Sequence, residues 1–178
     1  MTRRAPLIAG IVGVAVLALV VLFVVSPKGE TADEESPLLG KLAPQLVGTT
    51  MESEPFDLDA FKGDWVLVNF FATWCPPCVV EHPELIELSE QQPQGLEIVS
   101  VAFGDTSTNV EEFFTEHGGS WPVLASDTGA IGIEYGVKKL PESFLVAPDG
   151  SIVAKFNGGI TAADLTEYLA RSTTGAGS

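Results

Sequence analysis

The stretch F-F-A-T-W-C-P-P-C-V-V-E-H-P-E-L, Phe70 to Leu85, holds both cysteines of a 178-residue chain. Just upstream, Trp65-Val66-Leu67-Val68-Asn69-Phe70-Phe71 is an almost unbroken apolar run rich in β-branched and aromatic side chains. Its length and composition predict a buried strand. Downstream, Pro76 and Pro77 fit only a first helical turn, where the N–H groups they lack would be unpaired anyway. A helix therefore starts at Cys75 and carries Val79, Val80, Leu85, Ile86 and Leu88, with a kink expected at Pro83. Strand, tight loop and helix meet at the cysteines.

That junction suits one chemistry. A thiol at a helix N-terminus faces unpaired N–H groups and the positive end of the dipole, so its thiolate, the attacking species, is favoured. A C-x-x-C pair beside a βαβ pattern points to redox work. Cys75 is the expected nucleophile. Cys78, one turn on and on the same side, is placed to resolve a mixed disulfide. Trp74 would shield the sulfur and offer a partner an apolar contact. A purely structural disulfide closing so short a loop would remove little chain entropy. A zinc site needs about four ligands, and His82 and His117 stand far apart in sequence, so no metal and no cofactor are expected. A non-enzymatic carrier of metal or haem is the rival from a different class, since soft thiolates accept Cu(I).

Working outward, the N-terminus carries Arg3 and Arg4, then an uncharged run from Pro6 to Val25. As a helix that run spans roughly 30 Å, the thickness of a bilayer's hydrocarbon core. Acidic residues dominate after it, so the positive-inside bias puts residues 1–5 in the cytoplasm and the rest outside. A cleaved signal peptide is the rival reading. Its apolar core is usually shorter, and Val24-Val25-Ser26-Pro27 lacks the small-residue pattern of a cleavage site. Residues 26–39 read as a flexible acidic tether. All of the chain's 24 Asp and Glu residues lie beyond the apolar run, and the net charge is -15. Such a surface argues against nucleic acid or anionic lipid as a partner of the folded part.

The folded part is expected over residues 40–171. Leu96 to Phe103 reads as a second central strand. Thr108-Asn109-Val110-Glu111 matches a capping box, opening a helix to about His117. Val123-Leu124-Ala125 is a short strand, and Ala130 to Tyr135 a short helix closed by Gly136. Ser143–Ala147 and Ser151–Phe156 flank Pro148-Asp149-Gly150 as a hairpin. Thr161 to Ala170 is an amphipathic last helix, and 172–178 a disordered tail. The βα alternation builds a parallel sheet covered by helices, and the hairpin adds antiparallel strands, giving a mixed α/β sheet.

The segment N-F-F-A-T-W-C-P-P-C-V-V-E-H-P resembles the active-site segment of the membrane-anchored thioredoxin-like ResA, TlpA and CcmG (DsbE) group. G-K-L-A-P-Q-L (Gly40 to Leu46) resembles the start of that domain, and Y-G-V-K-K-L-P-E-S-F-L-V (Tyr135 to Val146) its proline loop. The resemblance implies a thioredoxin-like fold and a redox-active Cys75–Cys78 disulfide. It also implies a cis Leu140–Pro141 bond beside that disulfide, where extended backbone pairs with substrate. Glu81 matches the acidic residue that the group keeps near its active site, a proton relay or tuner of the thiol pKa; an exposed helix glutamate is the other reading. Glu142, after Pro141, is a second candidate of that type, whereas His82 reads as a surface histidine. The function implied is reduction of disulfides outside the cytoplasm, chiefly in apocytochrome c before haem attachment, with electrons from a membrane thiol-electron transporter. An oxidase donating disulfides to secreted proteins is the alternative within the class. One departure stands out: the group often has a small residue before the cis-proline, and this chain has Lys139-Leu140.

Overall fold

The computed structural model describes residues 36–175. The expected cytoplasmic tail, the membrane anchor and residues 26–35 of the tether lie outside the described residues. Among the described residues no helix is long and apolar enough to cross a membrane.

The chain enters through a small hairpin, β1 (Val47–Thr49) against β2 (Pro55–Asp57). The apolar run forms β3 (Trp65–Phe71), followed by α1 (Pro76–Gln91), β4 (Leu96–Ala102) and α2 (Ser107–His117). Then come β5 (Val123–Leu124), α3 (Gly129–Tyr135), β6 (Glu142–Val146), β7 (Ile152–Asn157) and α4 (Ala162–Gly175). The five-stranded sheet has the order β5-β4-β3-β6-β7. β3 is central, parallel to β4 and antiparallel to β6, so the sheet is mixed.

Period-two alternation along β3 divides the core. Leu67 and Phe71 face α1, α2 and α4, packing with Leu85, Leu88, Phe113 and Leu165. Val66, Val68 and Phe70 face the other layer, packing with Leu46, Tyr135 and Phe144. There the Phe70 ring lies 5.1 Å from Tyr135 and 5.8 Å from Phe144 between centroids. Burying each such ring contributes roughly 1.5–3 kcal/mol.

Two local expectations are corrected and one element is added. The hairpin β1–β2 was not foreseen, because strands of three residues carry too little periodicity to read. The cap of α2 is Thr106, not Thr108: its hydroxyl accepts from the Asn109 N–H at 3.3 Å. The helix starts early because Asp105 is tied back to the loop before the cysteines, and Val110, Phe113 and Phe114 then turn inward. Finally, α4 continues to Gly175, past the expected end at Ala170 and into the expected tail.

Candidate active site

β3 ends at Phe71, and the chain reverses through Ala72, Thr73 and Trp74 into α1. Cys75 is the N-cap, with extended φ/ψ of -91° and 106°, and Pro76 and Pro77 occupy the first turn. The Cys75 carbonyl accepts the first helical hydrogen bonds, from Cys78 N–H at 3.0 Å and Val79 N–H at 3.2 Å. Cys75 and Cys78 are joined by a disulfide, and each is buried.

The loop after β4 holds the approach to Cys75. One Asp105 oxygen accepts from the Thr73 N–H at 2.7 Å and the Thr73 hydroxyl at 2.8 Å. Its other oxygen accepts from Thr106 N–H and the Asn109 amide. Burial raises the Asp105 pKa, but these hydrogen bonds outweigh it and the net shift is downward. Trp74 is 62% exposed, and its indole N–H donates to the Gly104 carbonyl at 3.0 Å. The large ring is thus pinned at one edge and open at its face. Both loops leave the carboxyl ends of parallel neighbours β3 and β4, where open α/β sheets place their sites.

The third wall comes from the start of β6. In the antiparallel register Phe70 stands opposite Glu142, so the residues before Glu142 reach the loop that carries the cysteines. The Leu140–Pro141 peptide there is cis. Trp74, Cys75, Pro76, Phe103, Val137 and Leu140 line one cleft over the disulfide.

Beneath the cysteines runs a polar row absent from the expectations above. Asn69, at the centre of β3, pairs in register with Ser100 of β4 and Ser143 of β6. The Asn69 amide donates to Ser143 and to Glu81, both at 3.0 Å. Ser100 in turn accepts from the Trp121 indole at 2.9 Å. Glu81 is 3% exposed and its other oxygen accepts from the Ile160 N–H at 3.0 Å. It is not an exposed helix glutamate. Nor is His82 a surface histidine: it is 4% exposed, packs against Phe113 and Phe114, and makes a 2.9 Å contact from Nε2 to the Gly118 carbonyl. Burial lowers its pKa; the Gly118 contact opposes this and His117 adds to it. The signal was available. Cys78, Glu81, His82, Leu85 and Leu88 are the buried residues of α1, and their spacing is that of an inward helical stripe.

Glu142 is 1% exposed by side chain and pairs with Lys155 at 3.1 Å. The same Glu142 oxygen accepts from the Lys138 N–H at 3.4 Å, and the Lys155 ammonium lies 5.3 Å from the Phe144 ring centroid. Glu142 is thus engaged with a buried cation and with the proline loop's backbone.

A C-x-x-C disulfide at a helix N-cap, in one cleft with an exposed tryptophan and with the residue that precedes a cis-proline, defines a thioredoxin-like thiol–disulfide oxidoreductase. The family model described as Redoxin matches residues 38–170, and the chain belongs to that family. Within it, the chain is of the ResA and HelX type. It is 36% identical over 147 residues to the thiol-disulfide oxidoreductase ResA of Bacillus cereus, across 82% of this chain and 85% of that protein. It is 38% identical over 135 residues to the thiol:disulfide interchange protein HelX of Rhodobacter capsulatus, across 74% of this chain and 75% of that one. A thiol:disulfide interchange protein of the thioredoxin family from Chlorobium tepidum superposes with a TM-score of 0.65 at 28% identity, over 76% of this chain and 95% of that chain.

Proposed function

We propose that the protein is an extracytoplasmic reductant of protein disulfides, with the cysteines of apocytochrome c before haem attachment as its substrate. Residues 6–25 anchor it, with the N-terminus in the cytoplasm, and a membrane thiol-electron transporter returns the active site to the dithiol. The observation that carries this reading is the cleft: a helix-capping Cys75 shares it with Trp74 and Leu140, where extended substrate backbone can lie against the loop that leads into Pro141.

The steps balance without a cofactor. The Cys75 thiolate attacks one sulfur of the substrate disulfide and the other sulfur leaves as a thiolate, giving a mixed disulfide. Cys78 loses its proton and attacks the Cys75 sulfur. The second substrate thiolate leaves and Cys75–Cys78 closes. Two electrons have passed to the substrate. Glu81, one turn beyond Cys78 and buried, is the proposed acceptor of the Cys78 proton. Trp74 and Leu140 supply apolar contact. Glu142 acts here through the loop it holds.

The test mixes the reduced full-length protein with an apocytochrome c peptide whose two cysteines are oxidised. The expected result is one peptide disulfide reduced per protein, with Cys75–Cys78 formed in step. The reading fails if the peptide stays oxidised while the oxidised protein instead closes the reduced peptide.

A further inference from the structure

The cleft beside Cys75 is apolar on one side and cationic on the other. Lys138 and Lys139 line it, and both are exposed. Cations are scarce in this chain, which has 9 Lys and Arg against 24 Asp and Glu. Of those in the described residues, Lys62 pairs with Asp59, Lys155 with Glu142 and Arg171 with Glu167. Lys41, Lys138 and Lys139 make no ion pair among the described residues, and of these only the last two line the cleft.

Exposed lysines on a loop are usually just solvated. Two features separate these from that case. They are adjacent, unpaired and on the wall of the active-site cleft of a strongly acidic protein. Their backbone is also held from below, since the Lys138 N–H donates to Glu142, itself fixed by Lys155. The two charges therefore project from an anchored segment.

We propose that this pair is a specificity element. It selects an extended cystine-bearing segment that carries a carboxylate beside the disulfide, with an apolar residue against Trp74 and Phe103. The inference rests on the proposed reductant function and names which segments it favours. The physics is local. Over distance, the net charge of -15 repels an acidic partner. At physiological ionic strength the Debye length is about 8 Å, so once a segment enters the cleft the two lysines outweigh carboxylates farther away. Such charges sort partners more than they add affinity.

The experiment uses the reduced full-length protein in detergent and three disulfide-closed peptides that differ at one position beside the cysteines: Glu, Gln or Lys. The rate constant for reduction is measured for each. The Glu peptide should react about threefold faster than the Gln peptide for each lysine it meets, the factor an exposed ion pair typically gives, and the Lys peptide should be slowest. In about 1 M salt, where the Debye length is about 3 Å, the ratio should fall toward one. The K138Q/K139Q variant should lose the preference. K41Q, which removes one lysine charge away from the cleft, should keep it. Circular dichroism checks that each variant is folded. Equal rates for the Glu and Gln peptides, or a preference that survives in K138Q/K139Q, would overturn the inference and leave the reductant reading standing. If no peptide is reduced, both fall together.

Discussion

Replacing Lys155 with methionine tests the ion pair beneath the proline loop. Methionine keeps an aliphatic stem of similar length and removes the ammonium. Glu142 would then sit with a side chain 1% exposed and, with the cation at 3.1 Å lost, would keep the Lys138 N–H at 3.4 Å as its hydrogen-bond donor among the described residues. That remaining hydrogen bond is long against the usual 2.9–3.0 Å or so. Removing one partner of a buried pair typically costs about 3–5 kcal/mol. The Lys155 side chain keeps 9% exposure, which favours the lower end, about 3 kcal/mol. Domains of this kind have roughly 5–15 kcal/mol in total, so the variant should fold but denature at clearly lower urea. In the double variant Glu142→Met with Lys155→Met no charge is left buried, and stability should return to within about 1 kcal/mol of the parent. Urea unfolding of the oxidised protein at pH 7 gives both numbers. A cost below about 1 kcal/mol for Lys155→Met, or a double variant weaker than the single, would refute the reasoning.

Three further outcomes are expected. Cys75→Ser should abolish exchange, while Cys78→Ser should accumulate a mixed disulfide through Cys75, read by mass spectrometry; a trapped adduct on Cys78 in Cys75→Ser would reverse the two roles. A Cβ at Gly132 would press into the Phe103 ring, well inside van der Waals contact. Gly132→Ala should therefore cost about 1–3 kcal/mol in a thermal melt and slow exchange, because Phe103 lines the cleft. The His82 pKa is held below its ordinary 6.5, chiefly by burial. Above that value neither state is protonated there. As pH falls through it the unfolded chain binds a proton that the folded chain does not, so stability falls with pH. His82→Gln should flatten the decline between about pH 7 and pH 5 relative to the parent; parallel curves would contradict the assignment.

What was legible from sequence was local. The run Trp65–Phe71 forms β3 with those bounds because a continuous apolar stretch can be satisfied only by burial on both faces. Pro76 and Pro77 mark the start of α1 because no other helical position tolerates them both. Two cysteines spaced C-x-x-C at a helix start point to the chemistry without reference to the fold. What escaped was relational. The row Ser143–Asn69–Ser100 joins residues 74 and 31 positions apart, and only the strand register brings them together. The hint was a polar residue near the middle of each apolar strand. Glu142 reads as a carboxylate of the active site and Lys155 as one residue of a hairpin strand, and only the pairing of β6 with β7 shows them to be a buried ion pair. His82 looked like a surface residue because its neighbours in sequence are polar or proline, yet it shares the inward stripe with Leu85. Thr106 lost to Thr108 as the expected cap because the anchoring of Asp105 by Thr73 is a tertiary contact.

The direction of electron flow is the centre of the account, and the reduction potential of the Cys75–Cys78 couple measures it most directly. The full-length protein would be equilibrated against glutathione or dithiothreitol buffers and its free thiols counted at each poise. The reductant reading predicts a value near or below about -250 mV, close to thioredoxin. A value near about -120 mV, that of a strong oxidant, would contradict it and make the protein a disulfide donor.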